Sequence, residues 1–121
     1  MREIKFRAWN PSEDIMRYSQ DFHNLRDFFG WVCLNDLQDK FTVMQYTGLK
    51  DKNGVEIYEG DRVRTTKGIV YEIFYTTKTA RWAGKTLNVW TDDINTYFYK
   101  ALAWLASRCE ICGNIYEHPE L

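Results

Sequence analysis

The sequence has few of the residues that form disulfide bonds and no long apolar segment that could hold a protein in a membrane. Its 121 residues include three cysteines and two prolines, and an odd number of cysteines does not suggest a disulfide framework. No apolar run approaches the roughly 20 residues that span a bilayer, and the N-terminus lacks the apolar segment of a secretory signal. These absences predict a soluble protein of a reducing cytoplasm, with no membrane partner.

Catalytic and nucleotide-binding motifs are also missing. The sequence contains no Gly-x-Ser-x-Gly, no P-loop and no His-Glu-x-x-His pattern. Its two histidines, His23 and His118, lie outside any nucleophile motif, and the adjacent Asp92 and Asp93 are interpreted as turn or cap residues. We therefore expect that the protein is not an enzyme and has no catalytic residue.

The pair Cys109-x-x-Cys112 is the motif that most resembles a metal site. A structural zinc ion requires four ligands, and only one further cysteine and two histidines remain to complete the set. If residues 109–115 form a strand, Cys109 and Cys112 point to opposite faces and cannot chelate one ion. A metal or redox site would need a turn at residues 110–111. We interpret both cysteines as small apolar side chains and expect no metal and no cofactor.

Apolar residues make up 45% of the chain and aromatic residues 17%, which is enough for one hydrophobic core. The net charge is -1, so the overall charge favours no polyanionic partner. The charges are nevertheless unevenly distributed, because residues 62–85 contain six basic residues and a single acidic one, Glu72. This distribution predicts a positive face on the folded protein.

Short strands separated by turn residues occur along most of the sequence. Residues 3–9 alternate between two faces, residues 10–14 have turn chemistry and residues 15–18 return, which predicts an N-terminal hairpin. The dipeptide Asn53-Gly54 is a tight-turn signal in which both residues readily adopt positive φ. Further strands are predicted at residues 41–46, 55–58, 62–64, 69–75, 81–82, 87–90 and 109–115.

Helical patterns are confined to two segments. Residues 20–40 carry apolar side chains at helical spacing with Asp21 as a candidate N-cap, which predicts a short helix followed by irregular chain. Residues 97–106 fit one or two helical turns. Together these patterns predict a mainly β, α+β fold built as a small barrel or sandwich. We expect a single domain, with an N-terminal hairpin and variable segment at residues 1–45 and a barrel-like part at residues 46–121.

Three blocks, at both ends of the chain and in the middle, carry a recognisable signature. They are Met-Arg-Glu-Ile-Lys-Phe-Arg-Ala-Trp at residues 1–9, Met-Gln-Tyr-Thr-Gly-Leu-Lys-Asp-Lys-Asn-Gly at 44–54 followed by Glu-Ile-Tyr-Glu-Gly-Asp at 56–61, and Gly-Asn-Ile-Tyr-Glu at 113–117 followed by Pro-Glu-Leu. These blocks resemble the YopX family of phage and prophage proteins. The resemblance implies an SH3-like barrel in a protein carried by bacteria, and it implies no activity. Most of these residues are interpreted as fold determinants, and a binding edge built from Tyr46, Tyr58 and Tyr116 is the alternative.

The basic stretch is the strongest functional signal in the sequence. Its basic residues alternate with aromatic residues, a combination that can hold a nucleic-acid backbone and stack bases; a solvated barrel face is the alternative interpretation. The candidate binding residues are Arg62, Arg64, Lys67, Tyr75, Arg81, Trp82 and Lys85. If Val63 packs inward, both arginines of its strand point to solvent beside the other basic residues, and Trp82 offers a stacking platform.

These observations predict a non-catalytic phage or prophage accessory protein that acts by binding a macromolecule in the bacterial cytoplasm. The predicted partner is a host or phage protein. A nucleic acid bound at residues 62–85 is the first alternative, and capture of a nucleotide signal used in host defence is the second. Salt dependence separates protein from nucleic acid, because phosphate binding weakens steeply with salt. The exposed strand edges of a small barrel also allow a homo-oligomer.

Overall fold

The fold is β-rich α+β, as predicted, with antiparallel sheets and few helices. A computed structural model describes residues 3–78, 80–86 and 99–117, and the chain forms two compact units, Met1–Tyr46 and Thr47–Leu121. Within the described residues no helix is both long and apolar enough to cross a bilayer. The strand predicted at residues 87–90, the turn or cap at 92–93 and His118 lie outside the described residues.

The first unit begins with the predicted hairpin. Strand β1 (Phe6–Asn10) pairs with β2 (Ile15–Tyr18), and Asn10 closes the turn because its Oδ1 accepts the backbone N–H of Ser12 at 3.0 Å. On its other side β1 pairs antiparallel with β3 (Thr42–Lys50). Strand β3 then continues along the chain into the second unit.

Helix α1 (Leu25–Asp39) is longer than the short helix predicted within residues 20–40, so the prediction of irregular chain after it is wrong. The predicted N-cap is also wrong. Asn24 caps the helix by accepting the N–H of Asp27 on its Oδ1 at 2.8 Å, whereas Asp21 lies in a short 3-10 turn upstream. The helix therefore starts later in the sequence, and continues further, than the apolar spacing indicates.

Aromatic packing stabilises the first half of α1. Phe28 and Val32 are buried against Ala8 of β1, with half-buried rings around them, and Phe28 contacts Phe22 edge to face with ring centroids 5.4 Å apart. Aromatic residues and Gly30 have weak helix propensity, but burial of an apolar face outweighs propensity in most protein helices.

The second unit contains a five-stranded antiparallel sheet, a half-barrel with strand order β8-β7-β6-β5-β9. Most of its strands occupy the predicted positions. The bounds are Glu56–Tyr58 for β4, which neighbours β3, Asp61–Thr65 for β5, Val70–Thr76 for β6, Arg81–Thr86 for β7, Tyr99–Ala101 for β8 and Cys109–Asn114 for β9. Residues 99–101, for which the sequence predicts a helical turn, form a strand; the helical turns are α2 (Leu102–Leu105) and the 3-10 turn after it.

The core of this unit lies on one face of the sheet. Val63, Tyr71 and Ile73 point to that face, and Leu102 and Leu105 of α2 belong to the same buried cluster. Val63 therefore packs inward, as the alternation of its strand predicts. Residues at the alternate positions of β5, β6 and β7 point to the opposite face, which is called the outer face below.

The turn between β3 and β4 requires a glycine with positive φ, and this requirement can be tested by substitution. Gly54 has a φ of +82°, as predicted, whereas Asn53 does not adopt positive φ. A Cβ at Gly54 would meet nothing within 4 Å, so Gly54→Val changes the backbone energy and little else. Because a β-branched residue tolerates this conformation poorly, we expect the free energy of unfolding to fall by about 2 kcal/mol in denaturant melts.

Gly30→Ala is the control for that substitution. A Cβ at Gly30 also meets nothing within 4 Å, but Gly30 lies inside α1, where alanine is favoured. We expect it to raise the free energy of unfolding by up to about 1 kcal/mol. If both variants unfolded at the wild-type denaturant concentration, the conformation assigned to Gly54 would be incorrect.

Candidate functional site

Asp51, an acidic residue of the central signature block, is hydrogen-bonded to three backbone N–H groups. It is buried; its Oδ1 accepts the N–H groups of Asn53 and Val55, both at 2.9 Å, and its Oδ2 accepts the N–H of Ile111 at 3.0 Å. One carboxylate thus closes the β3–β4 turn and attaches that turn to β9. Charge-assisted bonds to three amides make Asp51 a strong structural element.

Two more buried polar residues of the signature also accept hydrogen bonds from the backbone. The Oδ2 of Asp61 accepts the N–H of Tyr58 at 2.8 Å. The Oδ1 of Asn114 accepts the N–H groups of Tyr116 and Glu117, at 3.0 and 2.7 Å. These contacts support the interpretation of the signature as a set of fold determinants.

The alternative interpretation, a binding edge built from the signature tyrosines, is wrong for two of its three members. Tyr46 and Tyr58 are buried, and Tyr116 is half-buried. A buried ring presents no surface to a partner, so these side chains contribute to packing.

The outer face of the five-stranded sheet carries a row of alternating charges. Arg62 of β5 lies directly opposite Glu72 of β6, and Glu72 lies directly opposite Lys85 of β7. The Nζ of Lys85 is 3.4 Å from the Oε2 of Glu72. In the next row Arg64 lies opposite Glu110 of β9. Residues directly opposite each other in an antiparallel pair share a face, so the predicted basic residues do lie together there.

These pairings correct the predicted positive face. Arg62 retains only 8% of its surface exposure, so the prediction that both arginines of β5 point to solvent is wrong for Arg62 and holds for Arg64. Glu72 and Glu110 lie among the basic residues and offset much of their charge. The outer face is therefore a mixed-charge ladder and not a purely positive surface.

Trp82 does not lie on this face. It pairs with Tyr75 in register, on the side of the sheet that bears the core, and it packs against the buried cluster. The rings of Tyr75 and Trp82 meet edge to face with centroids 5.2 Å apart and an interplanar angle of 74°. Trp82 is half-buried, while Tyr75 is 45% exposed. Trp82, the predicted stacking platform, thus lies on the side of the sheet opposite the basic residues of the outer face. Tyr75 is the more exposed ring of this aromatic pair.

The candidate residues also divide between the two ends of β6. Lys67 is exposed in the turn that precedes the strand, whereas Tyr75, Arg81 and Trp82 lie where β6 ends and β7 begins. A seven-residue strand spans roughly 20 Å. Lys67 therefore does not share a small contact surface with the other three.

The cysteines of the CxxC pair lie on an edge strand and not in a turn. The register between β5 and β9 shifts at Arg62 and Val63, which leaves Cys112 as the extra residue of a bulge. The Sγ of Cys109 donates to the carbonyl of Ala106, and that of Cys112 to the carbonyl of Arg62. Among the described residues, no group of three or more histidine, cysteine or acidic side chains is placed to hold an ion. The expectation that the protein binds no metal stays a prediction.

Cys109 is expected to be unreactive in the native protein. Its burial, with a smaller contribution from the Asp51 carboxylate, raises the pKa of the thiol to about 11. Since the thiolate is the nucleophile, iodoacetamide at pH 8 should modify exposed Cys33 well before Cys109, which should react only on unfolding. Time-resolved mass spectrometry checks this, with Cys33→Ser as the control; native labelling of Cys109 at the rate of Cys33 would contradict it.

Sequence reasoning missed one exposed aromatic residue of the second unit. Trp104, on α2, is 45% exposed and its ring lies 4.6 Å from the guanidinium carbon of Arg108. Trp104 lies within an almost continuous run of apolar residues, so the sequence alone suggests that all of them are buried. Among those that the structure describes, only Leu102 and Leu105, which share one helix face, are fully buried. The helical period places Trp104 away from that face, which is the signal that would have found it.

Comparison with known proteins identifies both a family and a fold. A family model described as YopX protein matches residues 5–121. The crystal structure of protein EF1440 from Enterococcus faecalis is similar, with a TM-score of 0.59 and 22% identity over 99% of this chain and 98% of that one. That likeness supports the fold. No curated protein matches the chain.

Proposed function

Since the chain belongs to the YopX family, we propose that it is a small non-catalytic accessory protein that acts by binding a host or phage macromolecule. The supporting observation is how its polar and apolar residues are distributed. The buried carboxylate of Asp51 and the thiol of Cys109 are engaged by the fold, whereas large aromatic side chains remain exposed. Groups held in this way serve the structure, and exposed aromatics are characteristic of binding surfaces.

A protein partner is the class that the exposed pair Trp104 and Arg108 favours. Tryptophan and arginine are the residue types most enriched at binding hot spots, where truncation of one side chain commonly costs 2 kcal/mol or more. The pair is partly preorganised, because the cation lies over the ring and the Arg108 guanidinium donates to the Trp104 carbonyl. Burial of this pair in an interface would fix few additional rotamers.

The test is capture from a bacterial lysate prepared during phage infection, with the immobilised wild-type protein and two variants. We propose that Trp104→Ala loses the partner and that Leu34→Ala, which shortens a more exposed apolar side chain in the first unit, retains it. Apolar contacts should survive salt concentrations that disrupt phosphate binding. Equal recovery with wild type and Trp104→Ala would count against the Trp104 surface. Light scattering tests whether the partner is a second copy, since a lone chain has a mass of 14.5 kDa.

A further inference from the structure

The end of the hairpin formed by β6 and β7 has a charge unlike that of the rest of the sheet. Between Tyr75 and Thr86 the sequence contains Lys78, Arg81 and Lys85 and no acidic residue. Lys78 and Arg81 are both exposed. The segment comprising Tyr75, Lys78, Arg81 and Trp82 is called the hairpin end below.

On the outer face of β5, its neighbours and Lys85, basic residues face acidic ones. Lys85 pairs with Glu72, which also lies opposite Arg62, and Arg64 lies opposite Glu110. Each opposite charge reduces the potential that a phosphate group would experience at the outer face. Lys78 and Arg81 come after the last of these rows, so no acidic residue of the outer-face ladder lies opposite them and their positive charge is not offset by it.

An aromatic ring lies at the same end and is already oriented. Tyr75 is exposed, and its edge-to-face contact with Trp82, which itself packs on the core, restricts its rotation. A ring held in this way loses little conformational freedom when it stacks on a ligand. Arg81 lies opposite Thr76 on the outer face, Tyr75 lies on the other face, and Lys78 lies in the turn between the two strands. A single strand that passes around the hairpin end would therefore meet the cations and the ring in turn, and these are the two components of a stacking site for unpaired bases.

We propose that the hairpin end binds short single-stranded nucleic acid, with an unpaired base stacked on Tyr75 and neighbouring phosphates bound by Lys78 and Arg81. A single strand is favoured because the bases of a duplex are already stacked on one another and do not present a free face to Tyr75. Trp82 is the support that positions Tyr75. This site is separate from the Trp104 surface and goes beyond the proposed protein partner.

Fluorescence anisotropy with a labelled 12-nucleotide oligothymidine at low salt tests the proposal. We expect Tyr75→Ala to weaken binding at least about fivefold through loss of stacking, and Tyr75→Phe, which retains the ring, to bind as wild type. Lys78→Ala combined with Arg81→Ala should weaken binding. It should also make the slope of log affinity against log salt shallower by about 1.4, because two phosphate contacts are lost and each contributes about 0.7 on a single strand.

The matched control is Arg64→Ala with Lys67→Ala, which removes the same charge at the opposite end of β6. It should bind nearly as wild type. The proposal is overturned if this control is as damaging as the hairpin-end pair, if Tyr75→Ala has no effect, or if no binding occurs at low salt. Equal affinity for a polyglutamate peptide, a duplex or a mononucleotide would also overturn it. The peptide has no base, the duplex has no unpaired base and the mononucleotide has no row of phosphates, so each lacks a feature that the proposed site recognises. None of these outcomes affects the Trp104 test.

Discussion

Asp51→Ala is expected to be strongly destabilising. Three backbone N–H groups, of Asn53, Val55 and Ile111, would lose a charged acceptor at once. Hydrogen bonds to charged groups contribute about 1.5–3 kcal/mol each, and their effects are not additive, so we expect a loss of about 3 kcal/mol or more. That is a large share of the roughly 5–15 kcal/mol that keeps a domain folded. Equilibrium urea unfolding measures it.

Asp51→Asn separates the two tasks of this carboxylate. An asparagine keeps one oxygen for the turn amides of Asn53 and Val55, but it directs an NH₂ group at the N–H of Ile111. We therefore expect an intermediate loss, with hydrogen exchange accelerated at Ile111 and unchanged at Val55. Equal protection of both amides in Asp51→Asn would show that the carboxylate does not attach the turn to β9.

Local patterns in the sequence predict the structure well where neighbouring residues decide it. The alternation of β5 places Val63 in the core and Arg64 in solvent, as observed. The N-terminal hairpin and the positive φ of Gly54 also follow from local turn chemistry. In each case the determining contacts lie within a few residues along the chain, and turn and strand periodicities encode such contacts directly.

Contacts between distant residues account for the errors. Glu110 joins the outer face from the last strand, far along the chain from Arg64, so a count of charges within residues 62–85 cannot include it. The face on which Trp82 lies depends on the register between β6 and β7, and a shift of one residue would reverse it. Phe28 and Val32 of α1 likewise pack against Ala8, which is distant along the chain, and this burial outweighs the weak helix propensity of the segment.

Leu105→Ala is the second substitution with a large expected effect. Leu105 is fully buried in the cluster that joins α2 to the sheet. Truncation of a buried leucine to alanine removes apolar burial and leaves a cavity, which costs about 2–5 kcal/mol depending on how far the surroundings collapse. We expect that range in urea melts. Trp104→Ala, one residue earlier on the exposed face of the same helix, is the control and should change stability by less than about 1 kcal/mol.

Gly84 provides the partner for a double-mutant cycle at this position. A Cβ at Gly84 would lie 2.9 Å from the Cδ2 of Leu105 and 3.0 Å from the Cβ of Tyr71, so Gly84→Ala alone should overpack the core and cost about 1–3 kcal/mol. In the double variant the new methyl group occupies space that Leu105 has vacated. The combined loss should therefore be smaller than the sum of the two single losses by at least about 0.5 kcal/mol, the lower limit for residues in contact. If the two losses in unfolding free energy were strictly additive, Leu105 of α2 would not pack on β7 at Gly84. The close contact between helix and sheet in this core would then be incorrectly assigned.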